Sequence, residues 1–182
     1  MVTPPFSVVV PHMIPPFFSY NTVKGVDVMK IRWKMLILQL VISLGVAGLS
    51  ALSTMNSMEL YQSLNQPPLS PPGWLFGVVW TILFTLMGIS AYLVSVSDSK
   101  DKTPALRIYG IQLAVNFFWS ILFFCLQAYW FAFVWLILLW VLILAMIVSF
   151  AKVSFPAAML QIPYLLWVTF AGYLSLAVAL LN

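Results

Sequence analysis

Hydrophobic positions along this chain come in long unbroken runs. They neither alternate nor recur at helical period against charged partners. Five runs reach the roughly 20 mostly apolar residues that an α-helix needs to cross a bilayer. They extend from about Met35 to Met55, Pro72 to Val96, Ala105 to Gln127, Tyr129 to Phe150 and Phe155 to Leu181. Runs without alternation predict helices over barrel strands. The expected fold class is therefore an all-α integral membrane protein, a bundle of five transmembrane helices.

Composition agrees with this pattern. Of 182 residues, 63% are hydrophobic and 7% charged, with mean hydropathy +1.06. A soluble domain carries about 25% charged residues, so lipid is the solvent that makes this composition sensible. The length allows one domain. The net charge of +4 does not point to nucleic acid, because the basic residues form no single patch. The lone Cys125 cannot form an intramolecular disulfide, and the lone His12 lies outside the runs. A histidine-based metal site is not expected.

Charge placement predicts direction. Lys24, Lys30, Arg32 and Lys34 precede the first span, Lys100, Lys102 and Arg107 surround the second link, and Lys152 lies in the fourth. Five alternating spans put all of these on one side. The other side carries only Glu59 and the uncharged Gln127–Ala128–Tyr129 link. The positive-inside rule then places the N-terminus in the cytoplasm and the C-terminus outside, in what is expected to be a bacterial cytoplasmic membrane. Tyr129 and Trp130 read as an interfacial aromatic belt.

Residues 1–30 differ in kind. They hold Pro4, Pro5, Pro11, Pro15 and Pro16, show no helical period and lack the order of a signal peptide. They are expected to be a disordered extension ahead of a five-helix transmembrane domain at 31–182. Lys24-Gly25-Val26 can be encoded by a ribosome-binding-site-like AAAGGAGT. The extension is therefore also read as an artefact of a start site placed upstream of Met29.

Some positions are too specific for filling lipid. Pro67-Pro68 and Pro71-Pro72 stiffen the link after the first span into a lid over the outer mouth of the bundle. Ser70 is placed to cap the next helix, with Pro71 or Pro72 in its first turn. Trp80, Phe84 and Met87 or Gly88 share one face of the second span. Asn116, Trp119, Ser120 and Phe123 share one face of the third. A primary amide in hydrocarbon must be paired, so Asn116 faces the interior, as a ligand contact or as interhelical glue. Pro163 is expected to bend the fifth span. There Trp167 and Ala171 share a face, a pair that by itself favours packing.

The stretches L-x-x-P-P-x-x-P-P-x-W-x-F-G-x-V-W-T-x-L-x-x-x-M-G at 64–88, Q-L-x-x-N-x-x-W-S at 112–120 and P-Y-L-L-W-V-x-F-A at 163–171 resemble the tryptophan-rich sensory protein / translocator protein family, once called peripheral benzodiazepine receptors. The resemblance covers residues 35–182 and points to a bacterial member. It implies a five-helix bundle with a pocket open toward the lid. It also implies a protein that binds porphyrins such as protoporphyrin IX or haem as ligand, without a resident cofactor. By position the pocket would be lined by Tyr61, Pro71, Trp80, Phe84, Asn116, Trp119, Ser120, Trp167 and Ala171. Three departures stand out. Leu60 and Leu69 replace family tryptophans, and Gln66-Pro67 replaces Lys-Pro. No basic residue follows Tyr173, so the animal sterol motif is missing.

The function expected is a membrane receptor for porphyrins and related flat hydrophobic ligands, with a sensory or tetrapyrrole-handling role. A light-dependent porphyrin-degrading enzyme and a small-molecule transporter are the alternatives. The spans hold no acid–base pair, nucleophile–base pair or metal cluster, which leaves only ligand-borne photochemistry for an enzyme. They hold no intramembrane carboxylate for a proton-coupled carrier. Membrane lipid is an expected partner and nucleic acid is not. Gly110-xxx-Ala114 and Gly45-xx-Gly48 allow close helix contact, so a homodimer through the third span is the expected assembly.

Overall fold

The computed structural model of the protein describes the backbone of residues 19–23 and 26–30, and residues 31–57 and 63–182. Among them, five helical segments are long and apolar enough to cross a membrane. They are built from α1 (Trp33–Thr54), α2 (Gly73–Ser95), α3 (Lys102–Ser120), α4 (Tyr129–Val153), α5 (Phe155–Met159) and α6 (Ile162–Leu181). A 3₁₀ turn, Met55–Ser57, follows α1, and a π-helical turn, Ile121–Cys125, prolongs α3. The principal helix contacts join α1 to α2, α3 to α4, and α4 to α6. The chain is a multi-pass integral membrane protein.

The bundle is apolar outside and selectively polar inside, as lipid demands. Leu52, Leu166 and Leu180 are each more than 60% exposed, whereas Ser43, Ser90, Gln112 and Asn116 are buried. These four inner polar side chains are paired: Ser90 Oγ, for one, donates to the Ala157 carbonyl at 2.7 Å and joins α2 to α5. An unpaired hydroxyl there would cost about 1–3 kcal/mol.

Two sequence expectations need adjustment. The fifth span does not bend at Pro163. It stops after Met159 and restarts at Ile162 with Pro163 in the first turn of α6, where its missing N–H costs nothing. Ser154 caps α5 instead, its Oγ accepting from Ala157 N–H at 3.2 Å. Ser70 does not cap α2: Pro72 holds the cap position in an extended conformation, and the Ser70 hydroxyl has no partner. The cause is the Pro-Pro pair, which keeps residue 71 out of the α region and leaves Ser70 too far from the free N–H groups. Ser19–Val23 and Val26–Lys30 pair as an antiparallel hairpin, consistent with the strand preference of their Thr and Val residues. His12, Glu59, Leu60 and the prolines of residues 1–16 lie outside the described residues.

Gly88 determines how α1 meets α2. A Cβ placed there would lie 2.6 Å from Ser43 Oγ and 3.1 Å from Leu40 Cα. The two helices touch at this level. They are tied again beyond it, where Arg32 N–H donates to Tyr92 Oη at 3.2 Å. Toward the lid the contact opens: Gly48 and Gly77 have nothing within 4 Å of a built Cβ.

A candidate ligand cavity between the first three spans

That opening holds a cavity of about 530 Å³ lined by α1, α2, α3 and the π turn. From Leu44 to Thr54 its α1 wall runs about 15 Å at 1.5 Å per residue. Trp80, Phe84, Asn116, Trp119 and Ser120, five of the predicted site residues, line it together with Phe76 and Phe124. The walls are aromatic and mutually supported. Trp80 and Phe84 lie 5.7 Å apart by ring centroids, and Trp119 stacks on Phe123 at 5.3 Å and 24°.

The other predicted residues fall elsewhere. Tyr61 lies outside the described residues. Pro71 is half-buried in the lid but is not part of the lining. Trp167 stands one layer behind the wall, edge-on to Phe76 at 6.0 Å, and lines a separate shallow groove between α2 and α6. Ala171 is buried in helix packing. α2 packs against α1 and α3, and α6 meets the back of the cavity wall, through the rings of Phe76 and Trp80 and the amide of Asn116.

Asn116 serves both roles that its sequence position allows. It lines the cavity, and its Nδ2 donates to Tyr164 Oη at 2.8 Å. Tyr164 in turn donates to Gln112 Oε1 at 3.0 Å, and Gln112 Nε2 donates to Met87 Sδ at 3.7 Å. This buried polar chain joins α2, α3 and α6 and fixes the amide against the wall. Tyr164 and Gln112 are fully buried. Both stand inside the family-like stretches, yet periodicity gave them no role.

The largest omission of sequence reasoning is α1. Its residues Ala47, Gly48, Ser50, Ala51 and Thr54 form one wall. The signal was present as the small-residue run G-V-A-G-L-S-A-L-S-T at 45–54. It reads naturally as helix-to-helix contact, whereas here small side chains leave room.

The described part of the lid docks on α6. Tyr173 Oη donates to the Pro68 carbonyl at 2.9 Å. Asn182 grips the backbone of Asn65 from both sides, its Oδ1 accepting at 3.0 Å and its Nδ2 donating at 3.2 Å. Leu69 turns the lid at a φ of 71°, an uncommon conformation for a residue with a side chain. At the mouth's other side Tyr129 meets Phe123 at 5.4 Å and turns inward, whereas Trp130 faces outward and is 57% exposed.

Five spans with an aromatic cavity between the first three define a multi-pass membrane protein, and comparison with known proteins places it in a family. Residues 37–181 match the TspO/MBR family, to which the chain belongs. It is similar to the tryptophan-rich protein TspO of Chlorobaculum tepidum, 38% identical over 145 residues, covering 79% of this chain and 91% of the relative. It is also similar to the translocator protein of Ovis aries, 38% identical over 63% of this chain and 70% of the other. The tryptophan-rich sensory protein of Cereibacter sphaeroides is 32% identical over 68% and 77%.

Proposed function

We propose that this protein is a membrane receptor for porphyrins, such as protoporphyrin IX or haem, and for related flat hydrophobic molecules, with a sensory or tetrapyrrole-handling role. The observation that carries the reading is the 530 Å³ cavity walled by Trp80, Trp119, Phe76, Phe84 and Phe124. Its volume lies in the range of small-ligand sites, roughly 300–1,000 Å³. Aromatic walls remove ring area from water at about 25 cal/mol per Å² and offer indole faces for stacking. Asn116, held by Tyr164, supplies orientation.

The test is a titration of the detergent-solubilised protein with protoporphyrin IX, followed by tryptophan quenching. Saturable quenching is expected, with Trp80→Leu weakening affinity about tenfold. Leu138→Ala, on the outer face of α4, should change nothing. Quenching that never saturates, or a Trp80→Leu protein with unchanged affinity, would refute the proposal.

The orientation proposed puts the lysine-bearing end in the cytoplasm and the lid end outside, following the placement of the basic residues, in a bacterial cytoplasmic membrane. Self-association through α3 is also proposed, because Gly110 and Ala114 both face out of the bundle. Crosslinking in native membranes, with Gly110→Leu abolishing the dimer band, tests it.

A further inference from the structure

Two side chains outside the cavity carry buried polar atoms that nothing matches. Gln161 is fully buried, and neither its Oε1 nor its Nε2 has a hydrogen-bond partner among the described residues. The Tyr109 hydroxyl, on a side chain only 3% exposed, also lacks one there. In an apolar bundle an unmatched amide or hydroxyl is costly.

The register of two helices brings these groups together. Alternating spans give α3 and α6 the same direction, and Tyr164 on α6 donates to Gln112 on α3 at 3.0 Å. Three residues earlier on the two helices stand Gln161 and Tyr109, and residues three apart share a face. The helical path of α6 reaches back to Gln161, whose carbonyl accepts from Leu165 N–H at 3.1 Å. The two unmatched groups therefore oppose each other one step below the Gln112–Tyr164 bond, about 4.5 Å along the axes.

Their neighbours are spent or apolar. Tyr164 Oη already accepts from Asn116 and donates to Gln112, and Gln112 Nε2 donates to Met87 Sδ. One turn toward the lysine-bearing end, the same faces carry Ala105 and Ala158, both buried. Phe150 of α4 meets the Tyr109 ring at 6.2 Å. Ser43 Oγ, which faces Tyr109 from α1, spends its proton on the Gln39 carbonyl at 3.1 Å.

We infer that Tyr109 and Gln161 bind an internal water, which accepts the Tyr109 proton and donates to Gln161 Oε1. The small side chains of Ala105 and Ala158 leave it room. The water ties the third span to the fifth where the fifth is interrupted, between Met159 and Ile162. It also extends, toward the lysine-bearing end, the polar chain that fixes Asn116 on the cavity wall. The site stands apart from the cavity and holds whether or not the cavity takes a porphyrin.

The experiment is X-ray radiolysis of the full chain in detergent micelles and ¹⁸O-water, with the label located by mass spectrometry. A bound water generates hydroxyl radicals beside it, so wild-type Tyr109 should take up label despite its burial. Leu139, fully buried in apolar packing, should not. In Gln161→Leu the label at Tyr109 should fall to background. A water-mediated bond is nearly as good as a direct one, so Gln161→Leu should also lower the unfolding midpoint by roughly 2–6 °C. Tyr109→Phe combined with Gln161→Leu should melt no lower than the worse single variant, because either change releases the same water. Gln161→Met, which keeps the side-chain length, takes the place of Gln161→Leu should the latter not fold. An unlabelled Tyr109 in wild type overturns the water site, and non-additive melting would then assign a direct bond between the two side chains. Label that persists in Gln161→Leu, or a Gln161→Leu protein that melts at or above wild type, also overturns it.

Discussion

Replacing Gly88 by alanine tests the geometry that creates the cavity. The added methyl would sit 2.6 Å from Ser43 Oγ, 2.9 Å from Leu40 Cδ2 and 3.1 Å from Leu40 Cα. The first two atoms can rotate away. Leu40 Cα cannot, so α1 must yield by a few tenths of an ångström. Overpacking of this kind costs about 1–3 kcal/mol. Taking about 2 kcal/mol, the middle of that range, alanine regains up to about 1 kcal/mol of helix propensity, which leaves a net loss of roughly 1–2 kcal/mol. At about 2–4 °C per kcal/mol for a chain of this size, the unfolding midpoint should fall by roughly 2–8 °C. The assay is thermal unfolding in one detergent, with Gly45→Ala alongside. Gly45 has nothing within 4 Å of a built Cβ and faces outward, so alanine there should be neutral or mildly stabilising. Adding Ser43→Ala to Gly88→Ala removes the nearest obstacle and should recover part of the loss. A Gly88→Ala protein that melts at or above wild type would show that α1 and α2 do not meet at this point, and the account of the opening above it would fall with it.

Tyr164→Phe breaks the bonds to Asn116 and Gln112 at once. It should cost about 1–2 kcal/mol by unfolding, since single interhelical bonds in membranes average about 0.6 and reach about 1.7; no measurable loss would refute the buried chain. Cys125 is exposed at the lid end, its thiol donating to the Ser53 carbonyl at 3.2 Å. A membrane-impermeant maleimide added to intact cells should label it, and protection until lysis would reverse the proposed orientation. Asn182→Ala removes both bonds to the Asn65 backbone, so limited proteolysis in the lid should accelerate; an unchanged rate would mean that the grip does not hold the lid.

The five spans were legible because the bilayer imposes a length and a composition that no neighbouring residue can disguise. Trp80, Phe84, Asn116, Trp119 and Ser120 were legible because helical spacing alone puts them on shared faces of two adjacent helices. Trp167 and Ala171 show where that logic stops. Spacing says which residues share a face but not which helix the face meets, and here α6 turns that face to other rings. The α1 wall was missed for a related reason, because a glycine that permits contact and a glycine that leaves space look identical in sequence. Gly88 does the first and Gly48 the second. The π turn after Ser120 and the restart at Ile162 depend on hydrogen-bond registers that propensity does not resolve.

The lid joins two helices that wall the cavity, yet it is fastened to α6, which supplies none of the wall. Under the binding function proposed above, a molecule leaving past the lid waits for a helix that it never touches to let go. The hold consists of a few exposed hydrogen bonds, each worth about 0.5–1.5 kcal/mol, so release should be frequent but not free. Dwell time inside the cavity and the fit of the rings around the guest thus become separately adjustable quantities. A change at Tyr173 or Asn182 would reset how long a guest stays while leaving every surface that recognises it intact.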